Sequence, residues 1–581
     1  MGVAMAGLRL LFGMMALAGS LGMPLMAEAK GCGAVHDACA AAGFTGDATI
    51  GQGTKIIRDC MMPLLNGIAP PGNGKLPLPT VTKADLAACQ AVKAKSGKAQ
   101  NAVPSADGQK AGKAPVAAKA MPAGAATGPN IVFILADDFS LDLMKDGVLA
   151  QAMPNLAQMM HEGMTFDNYF VTDSLCCPSR TSILTGLLPH NSGVFTNTGK
   201  DGGYGSFMSH GDDAKTFAVA MHNGFYATGM MGKYLNGYET GIGAPQGWSE
   251  WAVGDNAYSN FNYTLNHNGT LISPAAHLTD EMSQLGQDFI HASAASPFFL
   301  ELATFSPHAP YTPPDRYADA FPGLTYPQTP AYNARPDATA PTWMQDIPPI
   351  DKKFAKKIDE FYRLRVQSVK GIDDMIGAVR KTLDELGLSQ DTYVIFSSDN
   401  GYHMGEYSLR AGKMTPFDTD IHVPLIVVGP GVAAGKRVTD IAMNIDLYPT
   451  FLDLAGLPAS ASVDGQSLAG LLQGKAGPGR TIAVVEHKHS APSKDDPDAA
   501  EAKAGDPPTY VALRLMDAMY VEYLDGSGEV GYYDLKSDPY ELHNIAATLS
   551  ADRLKALHDA VQANHGCSGV TSCGAAQRLT P

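Results

Sequence analysis

The chain is poor in features that would take it toward several common roles. It has 3 Trp in 581 residues, and only 17% of its residues are charged. Positive charge is the scarcer sign, with 42 Lys and Arg against 58 Asp and Glu and a formal net charge of −16. That deficit argues against a general nucleic-acid binder, whose affinity rests on neutralising phosphates with Lys and Arg. Past Lys30 no apolar run is long enough to span a bilayer as a helix, so no transmembrane anchor is expected. There is no internal repeat. What remains is 45% hydrophobic content, enough to bury a large core and to exclude a wholly disordered or fibrous chain.

Charge and cysteine are unevenly spread. The first 29 residues carry one basic group, Arg9, then an apolar stretch to Met26 and an Ala27-Glu28-Ala29 cleavage pattern. Residues 1–29 therefore read as a secretory signal, and the protein as exported, periplasmic or secreted. Residues 30–94 hold Cys32, Cys39, Cys60 and Cys89 and read as a small disulfide-stapled module. Residues 95–128, rich in Ala, Gly, Lys and Pro, read as a flexible linker. From Lys30 to Gly128 there are 11 basic and 5 acidic residues; from Pro129 onward there are 30 and 52, a net of −22. Cys567 and Cys573 are placed to close a short loop. The adjacent Cys176 and Cys177 belong to neither group, and neighbouring cysteines bridge each other poorly.

From Pro129 the pattern is that of an α/β domain. Asn130–Ala136, Phe298–Ala303, Asp391–Ser397 and Val423–Val428 are near-continuous apolar runs of strand length. Runs without polar alternation suit a sheet covered on both faces. Lys352–Leu386 keeps helical spacing through Ile372, Met375, Ile376, Val379 and Leu383. Strands alternating with helices give a large, mostly parallel sheet, whose ligand sits at the carboxyl ends of the strands. Asp137-Asp138 and Asp399-Asn400 fall at two such ends. Either pair alone is an ordinary turn or helix cap. Together they crowd three carboxylates, which a hard divalent cation would reconcile, Ca²⁺ preferred over Mg²⁺ for its looser geometry.

The most specific segment is Leu175-Cys-Cys-Pro-Ser-Arg-Thr-Ser-Ile-Leu-Thr-Gly186. Cys-x-Pro-Ser-Arg followed by Leu-Thr-Gly at this spacing resembles the type I sulfatases of the alkaline-phosphatase-like superfamily. Further matching segments follow in the family's order: the Asn130 strand with its aspartates, Met231-Gly-Lys-Tyr-Leu-Asn236, Ser306-Pro-His-Ala-Pro-Tyr311, Ser398-Asp-Asn-Gly-Tyr-His-Met-Gly405, Gly412-Lys413 and Tyr532–Glu541. The resemblance spans Pro129 to about Ala546. It implies a catalytic domain over residues 129–475, and a C-terminal subdomain and tail over 476–581 with a small antiparallel sheet and a helix. It also implies that a maturation enzyme oxidises Cys176 to Cα-formylglycine.

The same resemblance implies the site. Asp137, Asp138, Asp399, Asn400 and the modified Cys176 would hold the cation. The hydrated aldehyde would attack sulfur and then release sulfate by collapsing back to aldehyde, a regeneration open to neither serine nor cysteine. Arg180 would stabilise the hydrate, Lys233 and Lys413 would hold sulfate oxygens, and His308 would bind sulfate and protonate the leaving oxygen. One departure stands out. Many family members carry Lys-Trp-His where this chain has Lys233-Tyr234-Leu235, which leaves Asn236 or His403 to fill the second histidine's role.

Several segments look most like the N-acetylglucosamine-6-sulfatase branch, so the expected substrate is a sulfated carbohydrate, with a small sulfate ester as the alternative. A phosphonate or phosphate ester hydrolase of the same superfamily, and a glycan-binding protein whose Cys176 is never converted, are the competing functions.

Overall fold

The computed structural model describes residues 128–490, 496 and 503–579. The expected signal, cysteine-rich module and nearly all of the linker lie outside the described residues. Ten strands form one sheet: β1 (Asn130–Ala136), β2 (Met164–Phe170), β3 (Ala227–Lys233), β4 (Glu250–Gly254), β5 (Leu265–His267), β6 (Thr270–Ile272), β7 (Phe298–Ala303), β8 (Thr392–Ser398), β9 (Leu425–Val428) and β10 (Lys436–Met443). Their order is β10-β2-β9-β8-β1-β7-β3-β4-β5-β6. The central pairings, β8 to β1 to β7 to β3 to β4, are all parallel. β9 runs antiparallel between β8 and β2, and the β5–β6 hairpin closes the far edge.

The apolar runs are explained by two cores, one on each face. Ile131, Phe133 and Leu135 of β1 enter one, while Val132, Ile134 and Ala136 enter the other. Alternate residues point to opposite faces of a strand, so a strand buried on both faces has no room for polar alternation. The second face is covered by α2 (Leu278–Ser293) and the 34-residue α3 (Lys352–Glu385). The first is covered by α1 (Cys176–Thr185) and by a second sheet. The Val423–Val428 run yields a strand only from Leu425, because Pro424 has no N–H to give a ladder.

The second sheet is an antiparallel meander of β11 (Ile482–His487), β12 (Tyr510–Leu515), β13 (Ala518–Tyr523) and β14 (Val530–Asp534), followed by α4 (Ala551–His565) and a Cys567–Cys573 disulfide. It is fastened to the main sheet by a fully buried ion pair. Arg480, just before β11, donates to both carboxylate oxygens of Asp446, just after β10. Asp446 also accepts from the Met443 and Gln466 amides, each at 2.8 Å, and Arg480 Nε reaches Gln577 Oε1 at 2.8 Å. Removing one partner strands the other charge in the interior, a loss of about 3–5 kcal/mol. Asp446→Ala is therefore expected to lower unfolding stability by that amount in a urea titration. A loss under about 1 kcal/mol would mean that the pair is not what ties the two sheets together.

Candidate active site

The site begins with a register. Ala136 of β1 is paired with Ser398 of β8, so the next residues on each strand leave the sheet side by side. Asp137, Asp138, Asp399 and Asn400 are all fully buried there. Asp399 Oδ1 accepts from the amides of Asp138 at 3.1 Å and Asn400 at 2.9 Å, which locks the two strand ends together. Asp138 sits at φ 62, a left-handed conformation that Asp tolerates better than most residues. Arg365 of α3, completely buried, donates to the Asp138 carbonyl at 2.7 Å and Ser140 Oγ at 2.9 Å and so holds that turn.

Cys176 opens α1 beneath these carboxylates. Its Sγ lies 3.2 Å from Asp137 Oδ1, 3.9 Å from Asp138 Oδ1 and 2.8 Å from Lys413 Nζ. Cys177 is turned the other way, into the apolar core, where burial pushes its thiol up to about 12. The adjacent pair is thus divided into one thiol facing the site and one inert thiol in the core. Gly186 ends α1 at φ 69, and a Cβ there would come within 3.0 Å of Tyr448, so the helix stop needs glycine.

The cations are interleaved with the carboxylates. Lys233 Nζ is 2.6 Å from Asp137 Oδ2, and Lys413 Nζ is 2.7 Å from Asp138 Oδ1. Arg180 donates from Nε to Asp399 Oδ2 at 2.7 Å and from Nη1 to the Lys233 carbonyl at 2.8 Å. Burial works against the Arg180 charge, but Asp399, Asp137 and Cys176 outweigh it and hold the guanidinium protonated. His308 presents Nε2 3.6 Å from Asp138 Oδ2, while its Nδ1 is 2.7 Å from the Ala309 carbonyl. A proton on Nδ1 satisfies that carbonyl and leaves Nε2 toward the site.

His403 is placed differently from the expectation. Its Nδ1 is 2.9 Å from Asp420 Oδ1 and its Nε2 is 2.7 Å from the Ala504 carbonyl, so both ring nitrogens are engaged away from Cys176. Its backbone exchanges two hydrogen bonds with Gly412, the residue before Lys413. The histidine braces the lysine loop. Asn236 is beside the site, donating to Tyr258 OH at 3.3 Å, and the Tyr258 ring packs on His308 with centroids 4.6 Å apart. Two residues escaped the sequence reasoning. Arg365 follows Ile358 and Tyr362 on the buried stripe of α3, a charge at a core position that could have been noticed. Glu301 is a lone acid inside the apolar run of β7, where burial raises its carboxyl to about 7 against a lowering by Arg180.

The donor set fits a divalent cation. Asp138 Oδ2 and Asn400 Oδ1 are buried oxygens with no hydrogen-bond partner. Ligand atoms of Asp137, Asp138, Cys176 and His308 all lie within 4.8 Å of one another. Buried oxygens without donors are costly unless a cation takes them.

Comparison with known proteins shows the family. The Sulfatase family model matches residues 129–457, and the model for the N-sulphoglucosamine sulphohydrolase C-terminal region matches 405–564. An N-acetylglucosamine-6-sulfatase from Capra hircus is 32% identical over 487 residues, covering 77% of this chain and 86% of the goat protein. A solved structure in complex with its substrate D-glucosamine-2-N,6-O-disulfate superposes with TM-score 0.63 at 22% identity, over 75% of this chain and 97% of the other. A phosphonate monoester hydrolase from Silicibacter pomeroyi shares the fold with TM-score 0.57 at 21% identity, over 75% and 95%.

Two outcomes are expected. In chelator-stripped protein, Ca²⁺ at about a hundred times its Kd should add about 2.7 kcal/mol of stability. Asn400→Ala should blunt that gain, and equal stabilisation of the variant would remove Asn400 from the cation site. Glu301 has a folded pKa of about 7, above its ordinary 4.5. Its stabilising contribution is therefore complete below pH 4.5 and lost as pH rises through 7, roughly 2–4 kcal/mol in all. Glu301→Gln should flatten the fall in unfolding stability over that window. An unchanged slope would mean that another group titrates there.

Proposed function

The chain belongs to the sulfatase family and is a sulfuric ester hydrolase, and on that premise we propose that it removes 6-O-sulfate from N-acetylglucosamine residues of glycans. The observation that carries the reaction is the convergence on Cys176 of one carboxylate-rich strand-end pair with Lys233, Lys413, Arg180 and His308. The likeness to N-acetylglucosamine-6-sulfatase supports the substrate.

Asp137, Asp138, Asp399 and Asn400 would hold a calcium ion, which supplies Lewis acidity toward a sulfate oxygen, and Cys176 oxidised to formylglycine supplies an oxygen nucleophile. The remaining work falls to the chain's own side chains. Lys413 bridges Asp138 and Cys176, so its ammonium meets negative charge developing at residue 176. Lys233 is held over the Tyr258 ring at 4.9 Å and faces the same pocket as a point charge for sulfate. Arg180 is fixed at two points and keeps Asp399 ionised. His308 keeps Nδ1–H on a carbonyl, so in its imidazolium form an Nε2–H would face the departing sugar oxygen and supply its proton. We assign this proton transfer to His308 because His403 is engaged elsewhere.

The signal-like leader supports export, and among the described residues no helix is long and apolar enough to cross a membrane. The phosphonate or phosphate ester alternative has the shared fold behind it and no residue of this site that favours it.

The test has two parts. The mass of the Cys176 peptide from protein exported by its own host should be lower by the thiol-to-aldehyde difference, and Cys176→Ala should abolish turnover while Cys177→Ala leaves most of it. Retained turnover in a clean Cys176→Ala preparation would sink the mechanism. With matured protein, 6-sulfated N-acetylglucosamine should be cleaved faster than a phenyl phosphonate; the reverse order would establish the competing activity. His308→Ala should lower kcat by about 100-fold or more on the sugar sulfate and far less on an aryl sulfate, whose leaving group needs no proton. Equal losses would place His308 in sulfate binding alone.

A further inference from the structure

A second cluster of ligating side chains lies outside this site. His190 follows α1 on a short turn, Glu486 is on β11, and His565 closes α4. Glu486 Oε1 lies 2.7 Å from His190 Nδ1 and 3.2 Å from His565 Nδ1. The three ligand atoms fall within 4.8 Å of one another. The Glu486 side chain is 2% exposed, that of His190 10% and that of His565 50%, so the cluster is closed behind and open on the His565 side.

Proton counting makes this arrangement informative. His190 has an acceptor against each ring nitrogen, Glu486 Oε1 at Nδ1 and the Cys567 carbonyl, 2.9 Å away, at Nε2. A neutral imidazole has one N–H and satisfies only one of them. The Cys567 carbonyl takes the Nε2 proton, which leaves the Nδ1 lone pair aimed at a carboxylate. His565 directs its own Nδ1 at the same oxygen. A neutral His565 with its proton on Nδ1 satisfies that contact, so the choice falls on His190: its ring is doubly protonated, or its Nδ1 lone pair meets a cation. The surroundings favour positive charge. Asp464 adds a second carboxylate beside His190, accepting from the Leu188 amide at 2.8 Å and from Asn191 Nδ2 at 2.9 Å. The outer contacts are those of a metal site: His190 donates its far nitrogen to a carbonyl, and the second Glu486 oxygen accepts the His190 amide at 3.0 Å.

We propose that His190, Glu486 and His565 form a transition-metal site of zinc type, separate from the hydrolytic centre, that pins the C-terminal helix and its disulfide loop to the turn behind the nucleophile helix. Two imidazoles and one carboxylate suit Zn²⁺ and leave a fourth position open to water on the exposed side. Once Cys176 is oxidised the catalytic cluster is left oxygen-rich and prefers hard cations, so in matured protein kept in excess Ca²⁺ the two sites separate by metal chemistry.

The test uses the full-length, matured protein with Ca²⁺ kept in excess. Co²⁺ should bind one equivalent with the intense visible bands of a four-coordinate ion, and Zn²⁺ should bleach them. An oxygen-only site gives weak six-coordinate bands instead. His565→Ala, a change at a half-exposed side chain, should abolish the bands and the zinc-dependent rise of several degrees in Tm while leaving sulfate-ester turnover unchanged. Glu486→Gln should lose the bands too. No intense band up to about millimolar Co²⁺, or a band that survives in His565→Ala, would overturn the site. A Tm unaffected by Zn²⁺ that falls as pH rises through the histidine range would also overturn it and identify a His190 imidazolium clamped on Glu486.

Discussion

Everything at the top of the sheet depends on how three buried carboxylates are neutralised. Asp137, Asp138 and Asp399 are wholly inaccessible, and each touches one of Lys233, Lys413 and Arg180. Burying one uncompensated ion is prohibitively costly, so neither set could persist without the other. Three acids against three bases leave the cluster near neutrality before any ligand arrives. A divalent cation would then create a surplus of two positive charges. A sulfate ester monoanion cancels one of them, and the sulfate dianion released at the end of the cycle cancels both. The charge pattern thus favours the state in which negative charge has built up on sulfur's oxygens, which is the direction of hydrolysis. An acidic chain of net −16 can therefore take an anionic substrate, because the field at the site is set locally.

The scaffold delivers those charges through backbone register. Parallel β1 and β8 end at the same level, and one paired residue, Ala136 with Ser398, decides that the two acidic turns meet. Lys233 is the last residue of β3, and Cys176 the first residue of α1. Gly232, at φ 101, comes so near the Ala303 carbonyl of β7 that a Cβ would lie 2.0 Å from it. Any side chain there would push β3 from β7 and carry Lys233 away from Asp137. Side chains on strand ends and helix starts are held more firmly than side chains on loops, which suits a pocket that must keep like charges apart.

Much of this was legible in the sequence because burial on both faces writes itself as an unbroken apolar run. Asn130–Ala136 and Phe298–Ala303 are strands with those same bounds, and Lys352–Leu386 is one helix to within a residue. The acidic pairs were visible as polar stops after such runs. What periodicity does not encode is pairing. That β9 enters antiparallel depends on β2, far away in the chain, whereas the β5–β6 edge hairpin turns on Asn268-Gly269, a local signal present in the sequence. His403 shows the same limit in the site. A histidine three residues past Asn400 looks catalytic, yet Asp420 and the Ala504 carbonyl, 17 and 101 positions away, claim both of its nitrogens. Arg365 shows the converse: its helical stripe marks it as buried, and only the fold shows that it grips the Asp138 carbonyl.

The replacement of the second histidine has a structural logic. Tyr258 lies at the centre of that wall of the pocket, with its ring against His308, its face under the Lys233 ammonium and its hydroxyl accepting from Asn236. The ring limits how far His308 can swing and shields Lys233 from water, which strengthens the pull of that lysine on a bound anion. Asn236 has no proton to lose or gain in the working pH range, so it contributes a fixed dipole where a histidine would contribute a titrating charge. A wall built from Tyr258 and Asn236 can orient a sugar hydroxyl or hold a sulfate oxygen, and its one ionisable group is a phenol, a far weaker acid than an imidazolium. On the proposed reading, leaving-group protonation would fall to His308, whose imidazolium form would keep Nδ1–H on the Ala309 carbonyl and face the site with Nε2–H.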